Sequence, residues 1–293
     1  MTVPADDAGA SDHAFALLQE LLPQHLLSRN MHRVARSTRP WLRNLLLRAV
    51  LRAYPQIDLQ EAADPDPFSY PSFNAFFTRA LKAGARPLEG SRRDLVSPVD
   101  GTMSQLGTVR DGRLLQAKGR HYTAGELLAD EAAAGRYEGG GFACIYLAPY
   151  NYHRIHMPLD GTLTATRYVP GQLYSVNAAT ARSVTNLFAR NERVVCEFDT
   201  GLGPLAVVMV GALFVGSVET VFAGEINPPD QRGGRVHAIG TGVGRQFARG
   251  EELGRFNMGS TVILLLGHPS VRFDARLAPG ATLRLGQALA HVE

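Results

Sequence analysis

The tightest constraint in this chain lies near its C-terminal end, where Gly259-Ser260-Thr261 opens without a break into Val262-Ile263-Leu264-Leu265-Leu266. A short apolar run of this kind reads as a buried strand, so the rest of the fold must be arranged to cover it. The polar step then holds a hydroxyl at the mouth of that strand. Glycine allows strained backbone angles, and a serine Oγ can close a five-membered ring onto the carbonyl carbon of the residue before it. A bond of that kind can be cut from within. Taken alone, the same residues also describe a strand that simply starts after a Gly-Ser turn.

With 293 residues, 45% of them hydrophobic, the chain is long enough for one large or two modest domains with a real core. A net charge of +3 is too weak for a nucleic-acid footprint unless it is clustered, and here it clusters at one end. Between Gln24 and Ile57 stand Arg29, Arg33, Arg36, Arg39, Arg43, Arg48 and Arg52 with no acidic residue, interleaved with apolar residues such as Leu26, Trp41, Leu45 and Leu51. The pattern is that of basic amphipathic helix suited to an anionic membrane surface, or equally of a helical hairpin that covers the core and solvates an arginine face. Cys144 and Cys196 have neither metal-type nor framework spacing, so no metal site or disulfide is expected and a reducing compartment fits. Asp6, Asp7 and Asp12 stand where a secretory or transit leader would be basic, and the longest uncharged apolar run, 205–216, falls short of the roughly 20 residues of a membrane helix. Membrane contact is therefore expected to be peripheral.

The expected architecture is α+β, a helical N-terminal region of residues 1–63 followed by a β-rich body of residues 64–293. Helical spacing up to Ala63 is interrupted at Pro23, Pro40 and Pro55, and Ala63-Asp64-Pro65-Asp66-Pro67 is a stiff polar connector. A short helix capped by Ser72, with Phe73, Phe76, Phe77 and Leu81 on one face, is expected to run until Gly84. Beyond Arg86, glycine turns separate apolar segments read as strands: 143–147, 194–198, 205–210, 212–221 and 261–266. Gly233-Gly234 and 240–244 lack the setting and the lysine of a phosphate loop and read as turns.

Three clusters carry possible chemistry. Ser97-Pro98-Val99-Asp100-Gly101 has an aspartate at the tip of what is otherwise a common tight turn. Tyr152-His153-Arg154-Ile155-His156 sets two histidines three apart at a strand exit, with no third ligand spaced for a metal. The third is Ser260. Serine needs a base to accept its proton, and the base works best beside a carboxylate, so Asp100, one of the histidines and Ser260 supply the parts of an Asp-His-Ser triad. No Gly-x-Ser-x-Gly elbow surrounds Ser260, which disfavours an ordinary α/β-hydrolase.

Together with Ser104-Gln105-Leu106-Gly107, Gln116-Ala117-Lys118-Gly119, 152–158, 186–194, Phe73-Asn74-Ala75-Phe76-Phe77, Gly84-Ala85-Arg86-Pro87 and Met258-Gly259-Ser260-Thr261, these segments make the chain resemble the bacterial phosphatidylserine decarboxylases. The likeness runs in order from about residue 15 to the end. Val99 and Met258 depart from the family's usual residues, and neither is a reacting group.

The resemblance implies a pyruvoyl enzyme that makes its own prosthetic group. Asp100 would orient His156, His156 would take the proton of Ser260, and Oγ would attack the Gly259 carbonyl to give an ester. Elimination would free a β chain of residues 1–259 and leave an α chain of residues 260–293 whose first residue, after loss of ammonia, is the pyruvoyl group. Its ketone would then receive the amine of phosphatidylserine and draw electrons from the breaking carbon-carboxylate bond, releasing phosphatidylethanolamine. His153 is implied as proton donor or carboxylate positioner. The implied partners are phosphatidylserine, an anionic membrane surface on the cytoplasmic side of the cell membrane and the protein's own two chains, further dimerisation being left open; no nucleic acid and no metal is expected. Two other readings stand beside it, a pyruvoyl decarboxylase of a small amino acid and a lipoyl- or biotinyl-type carrier suggested by Pro279-Gly280-Ala281 and 285–289, the latter without a lysine at a hairpin tip.

Overall fold

The computed structural model describes residues 9–117, 119–214, 217–226, 235–257 and 260–293. The expected central strand forms with the expected ends, Thr261–Leu266. It lies inside a large antiparallel sheet, paired along its whole length with Gly203–Val210 on one side and Gly141–Tyr146 on the other. Beyond those neighbours the sheet continues through Arg193–Thr200 to Gly161–Val169 in one direction and through Gly101–Thr108 to Thr282–Leu283 in the other. All six residues of the central strand are buried.

Its lack of polar alternation has a direct cause. Successive side chains of a strand point to opposite faces. Val262, Leu264 and Leu266 enter a core with Met103, Ile145, Phe198 and Met209, while Ile263 and Leu265 enter a second core with Phe142, Leu127, Phe188 and Val208. Both faces of the sheet are thus covered. Cys196 and Cys144 lie in the first and second of these cores respectively, free and buried, and burial pushes both thiols up to about 12. Gly101 opens its strand where a Cβ would stand 2.6 Å from the Tyr146 carbonyl oxygen, so only glycine lets these two strands approach.

A smaller sheet in the order Gly224–Glu225, Val218–Thr220, Glu252–Phe256, Arg154–His156 flanks the mouth of the central strand. It carries the two-histidine motif into pairing with the segment that leads to residue 257. Among the described residues three helices precede the body, α1 (Ala10–Leu21), α2 (Gln24–Ala35) and α3 (Pro40–Ala53), broken near Pro23 and Pro40 as the sequence predicts. Ser72 caps α4 (Phe73–Phe77) by accepting from Ala75 N–H at 3.1 Å. That helix ends at Thr78, well before Gly84, because the chain turns there to pair Leu81 with Ala62. Ala35, Leu47, Ile57, Phe73, Phe76 and Phe77 form one apolar cluster, so the helices and α4 share a core across the Asp64-Pro65 connector.

The expected strand over 212–221 does not form as one piece. The sheet strand stops at Val210, where Asn191 Nδ2 donates to the Gly211 carbonyl, and Phe214 takes a left-handed φ of 68° while its N–H donates to Ser28 of α2. Pairing resumes only at Val218. Gly233-Gly234 lies outside the described residues, and the 240–244 stretch is a turn as expected. No helix among the described residues is long and apolar enough to cross a membrane.

If the central strand organises both cores, Leu264→Ala should cost about 2–5 kcal/mol, read as a lower urea midpoint at unchanged m-value. A loss below 1 kcal/mol would contradict the packing described here.

Candidate active site

Ser260 enters the site from the central strand. It is fully buried, its carbonyl accepts from Leu147 N–H at 2.8 Å, and the next residue pairs with both Tyr146 and Val210. Backbone pairing thereby fixes its Cα, yet its Oγ has no hydrogen-bond partner, and neither has Thr261 Oγ1. Buried polar atoms are normally satisfied, so a pair of bare hydroxyls at one strand end is unusual. Gly259, the other half of the expected cleavage step, lies outside the described residues, as does Met258.

His153 is the second such group. It is fully buried, its ring lies 4.0 Å from that of Phe77, and neither ring nitrogen reaches a partner at hydrogen-bonding geometry. Its carbonyl accepts from Phe256 N–H at 3.0 Å, which ties it to the strand running toward Ser260. Burial, reinforced by the positive charge of Arg79 and only partly offset by the Asn151 carbonyl, drives the imidazole down to about 3. Arg79 is itself buried, with its guanidinium 5.0 Å from the Phe76 ring centre, and burial lowers its proton affinity. At neutral pH His153 is an uncharged ring.

His156 is held at both nitrogens. Nδ1 lies 2.8 Å from the Gly250 carbonyl and Nε2 lies 3.1 Å from the Tyr152 hydroxyl. Burial lowers its proton affinity too, against the pull of the Gly250 carbonyl and Glu252. Its backbone N–H donates to the Pro98 carbonyl at 2.9 Å, which places the 97–101 turn beside it.

Asp100 stands on that turn, nearly buried, but its side chain faces elsewhere. Arg86 grips both carboxylate oxygens, at 2.9 and 2.6 Å, and the Leu285 N–H donates to Oδ1 at 2.8 Å. Arg86 also reaches Glu61 at 2.7 Å, and Glu61 in turn meets Arg284 at 3.1 Å. A bidentate arginine pair with its remaining lone pair used by a backbone N–H is a strong, directional arrangement. The two neighbouring carboxylates raise the proton affinity of Arg86 further, against its burial. Asp100, His156 and Ser260 therefore share one region without any side-chain hydrogen bond among them, and Asp100 acts on His156 through space.

Two features escape sequence reasoning. Arg86 sits in a quoted motif, but nothing in its spacing points to Asp100. The other is a polar chain beside the reacting segment: Asn257 Nδ2 donates to Ser217 Oγ at 2.7 Å, Asn74 Nδ2 donates to Asn257 Oδ1 at 3.1 Å, and Ser217 Oγ donates to Glu225. Glu225 also meets His32 and Arg36 of α2, each at 2.9 Å. Burial alone would raise this carboxyl, but the hydrogen bonds from His32 and Ser217 and the charge of Arg36 hold it down to about 2. Among the described residues no group of three or more His, Cys, Asp or Glu side chains is placed to hold a metal ion.

Residues 73–291 match the family model described as phosphatidylserine decarboxylase, and residues 14–55 match a second model described as PSD. Among curated proteins, the phosphatidylserine decarboxylase proenzyme of Azotobacter vinelandii is 51% identical over 280 residues, covering 95% of this chain and 98% of the relative. The proenzyme of the same name from Methylococcus capsulatus is 49% identical, covering 94% and 95% respectively, and that from Ectopseudomonas mendocina 50%, covering 95% and 98%.

The buried neutral state of His153 makes stability depend on pH. Unfolded, this ring binds a proton near 6.5; folded, only near 3. The unfolded chain therefore holds more protons between those values, and stability is fully present above pH 6.5 and lost as the pH falls toward 3, with a slope of up to about 1.4 kcal/mol per pH unit. Between pH 7 and 5 the wild-type chain should lose about 2 kcal/mol more in urea unfolding than His153→Phe. Equal losses would show that His153 is not buried as described.

Proposed function

The chain belongs to the phosphatidylserine decarboxylase family, and on that premise we propose that it converts phosphatidylserine to phosphatidylethanolamine with a pyruvoyl group made from its own Ser260. The observation that carries the reading is that four of the buried polar atoms left without hydrogen-bond partners belong to Ser260, to Thr261 beside it and to His153, whose carbonyl is tied to the strand leading toward Ser260. Polar atoms kept bare in a dry setting suit a site whose remaining partner is a reacting group and its substrate. The residues fit the group, since Ser260 would supply its atoms and Thr261 and His153 the nearby polar contacts. When present, the group supplies an electron sink for the carbon-carboxylate bond.

In the processing step His156 accepts the Ser260 hydroxyl proton at Nε2 while Oγ attacks the Gly259 carbonyl carbon. A neutral imidazole is needed for that, and burial keeps His156 neutral at physiological pH. The Asp100 charge favours the imidazolium that forms, acting through space with its own position fixed by Arg86. Cleavage between residues 259 and 260 gives a β chain of residues 1–259 and an α chain of residues 260–293. These stay together because the central strand is paired on both sides, Ala288–Val292 pairs with Asp94–Val96, and Thr282–Leu283 pairs with the start of Gly101–Thr108. The Leu285 N–H to Asp100 bond also spans the two chains.

In the lipid step His153 positions the substrate carboxylate or returns a proton to the carbon it leaves. As a neutral ring it offers one N–H and one lone pair, and an arriving carboxylate would raise its proton affinity. The substrate stays in a bilayer. Phe15, Leu17, Leu18, Leu21, Trp41 and Leu45 are exposed on α1 and α3, alongside exposed Arg33, Arg39, Arg48 and Arg52. Residues 1–63 thus combine apolar and cationic groups in a way that suits peripheral docking on the anionic cytoplasmic face of the cell membrane.

Purified wild-type protein should run as two chains, and Ser260→Ala as one full-length chain without turnover; two chains from Ser260→Ala would defeat the assignment. His153→Ala should still be cut yet lose about a hundredfold or more in decarboxylation, and normal turnover would remove that residue from the mechanism. Trp41→Ser with Leu45→Ser should weaken sedimentation with phosphatidylserine-containing vesicles; unchanged binding would exclude this face as the docking surface.

A further inference from the structure

His156 has a fixed tautomer in this fold. A carbonyl oxygen only accepts, so the 2.8 Å contact to Gly250 places the proton of the neutral ring on Nδ1. The lone pair is left on Nε2, where the Tyr152 hydroxyl donates to it at 3.1 Å. Tyr152 is 5% exposed, and burial pushes its phenol up, so it stays a donor at any pH the protein meets. The ring thus has one nitrogen able to accept a proton, and that nitrogen is already occupied. Ser260, whose Oγ touches no partner, does not occupy it.

We propose that Tyr152 is a positioning residue that restrains self-processing, competing with Ser260 for the Nε2 lone pair of His156. The proposal rests on the processing role of His156 and Ser260 given above and adds the group that governs it. In the step itself the Ser260 O–H bond breaks, the Nε2–H bond forms and the Oγ electron pair goes to the Gly259 carbonyl carbon, whose π pair moves to oxygen; collapse to the ester breaks the Gly259–Ser260 C–N bond, and the freed nitrogen takes the proton back from Nε2. Tyr152 keeps its own proton and gives up its hydrogen bond to Nε2. Its 5.8 Å ring contact with His156 remains to hold the imidazole in place once that bond opens.

Tyr152→Phe keeps the ring and removes the donor, which has two separable consequences. The base becomes available, so the rate at high pH rises. The neutral imidazole also loses the bond that favoured it, so His156 takes up a proton more readily and the rising limb of the rate profile moves to higher pH. The other charged groups facing His156 are Arg154 beside it on its own strand, Glu252 opposite it on the paired strand, and Asp100 with Arg86 on the adjoining turn. Arg154 and Glu252 pair with each other at 2.7 Å and are untouched by the substitution.

Two measurements test this. Full-length chain made by cell-free synthesis would be chased at pH 5 to 8 and the appearance of the C-terminal fragment followed on gels. Tyr152→Phe should raise the plateau rate about threefold to tenfold, the range expected for one neutral hydrogen bond, and shift the midpoint upward by about half a unit or more. Imidazole nitrogen NMR on uncut Ser260→Ala chain should show the Nδ1–H tautomer, with a His156 midpoint that rises when Tyr152→Phe is added. Unchanged rate and midpoints would overturn the proposal. So would a rate lowered at every pH with the midpoint fixed, since that describes a proton relay or a packing role. Continued cutting of Ser260→Ala or His156→Ala would instead overturn the processing assignment, and the proposal with it.

Discussion

The structure depends on one strand being wanted by everything around it. Thr261–Leu266 is hydrogen-bonded along both edges and buried on both faces, so it has one register and no tolerance for polar alternation. The residue just before it inherits that rigidity. Ser260 is held by its carbonyl and by the paired residue that follows, while its hydroxyl is left bare in a dry environment. A peptide bond placed just before such a strand can be broken without releasing the piece beyond it, because the pairing that holds Thr261–Leu266 makes no use of that bond.

Around this anchor burial disfavours charge on both imidazoles. His153 and His156 both have their proton affinity lowered by burial, while the Asp100 carboxylate is fixed in place by two guanidinium bonds and a backbone N–H. The aspartate does not touch the imidazole. Its influence is a through-space field, and the tautomer of His156 is set by a backbone carbonyl instead. The ion cluster of Glu61, Arg86, Asp100 and Arg284 also fastens the connector after the helices to the C-terminal segment, so site electrostatics and chain assembly rest on shared residues.

Much of this was legible in the sequence. The bounds of the central strand, the Ser72 cap, the proline breaks between helices and the change from helix to strand all follow from local rules: apolar continuity, capping chemistry and the missing N–H of proline. The failures have equally physical causes. The apolar run over 212–221 looks like one strand, but Asn191 and Ser28 capture its backbone and turn it away from the sheet. The 97–101 turn and the two histidines could be picked out as chemical, yet their partners could not. Arg86 finds Asp100 and Tyr152 finds His156 only through tertiary packing, and no spacing rule encodes either pair. The orienting role of Asp100 toward His156 is what the resemblance implies, and in the structure the Nδ1 of that ring meets the Gly250 carbonyl.

The central claim is that this polypeptide makes a carbonyl from Ser260 and keeps both resulting chains in one fold. Intact-mass spectrometry of the purified, active protein tests it most directly. The account predicts a fragment of residues 260–293 with a blocked amino end, lighter than the unmodified peptide by the exchange of its amine for a ketone, and gaining mass with hydroxylamine. A single uncut chain in fully active material, or a fragment that begins with an ordinary serine amine, would contradict it.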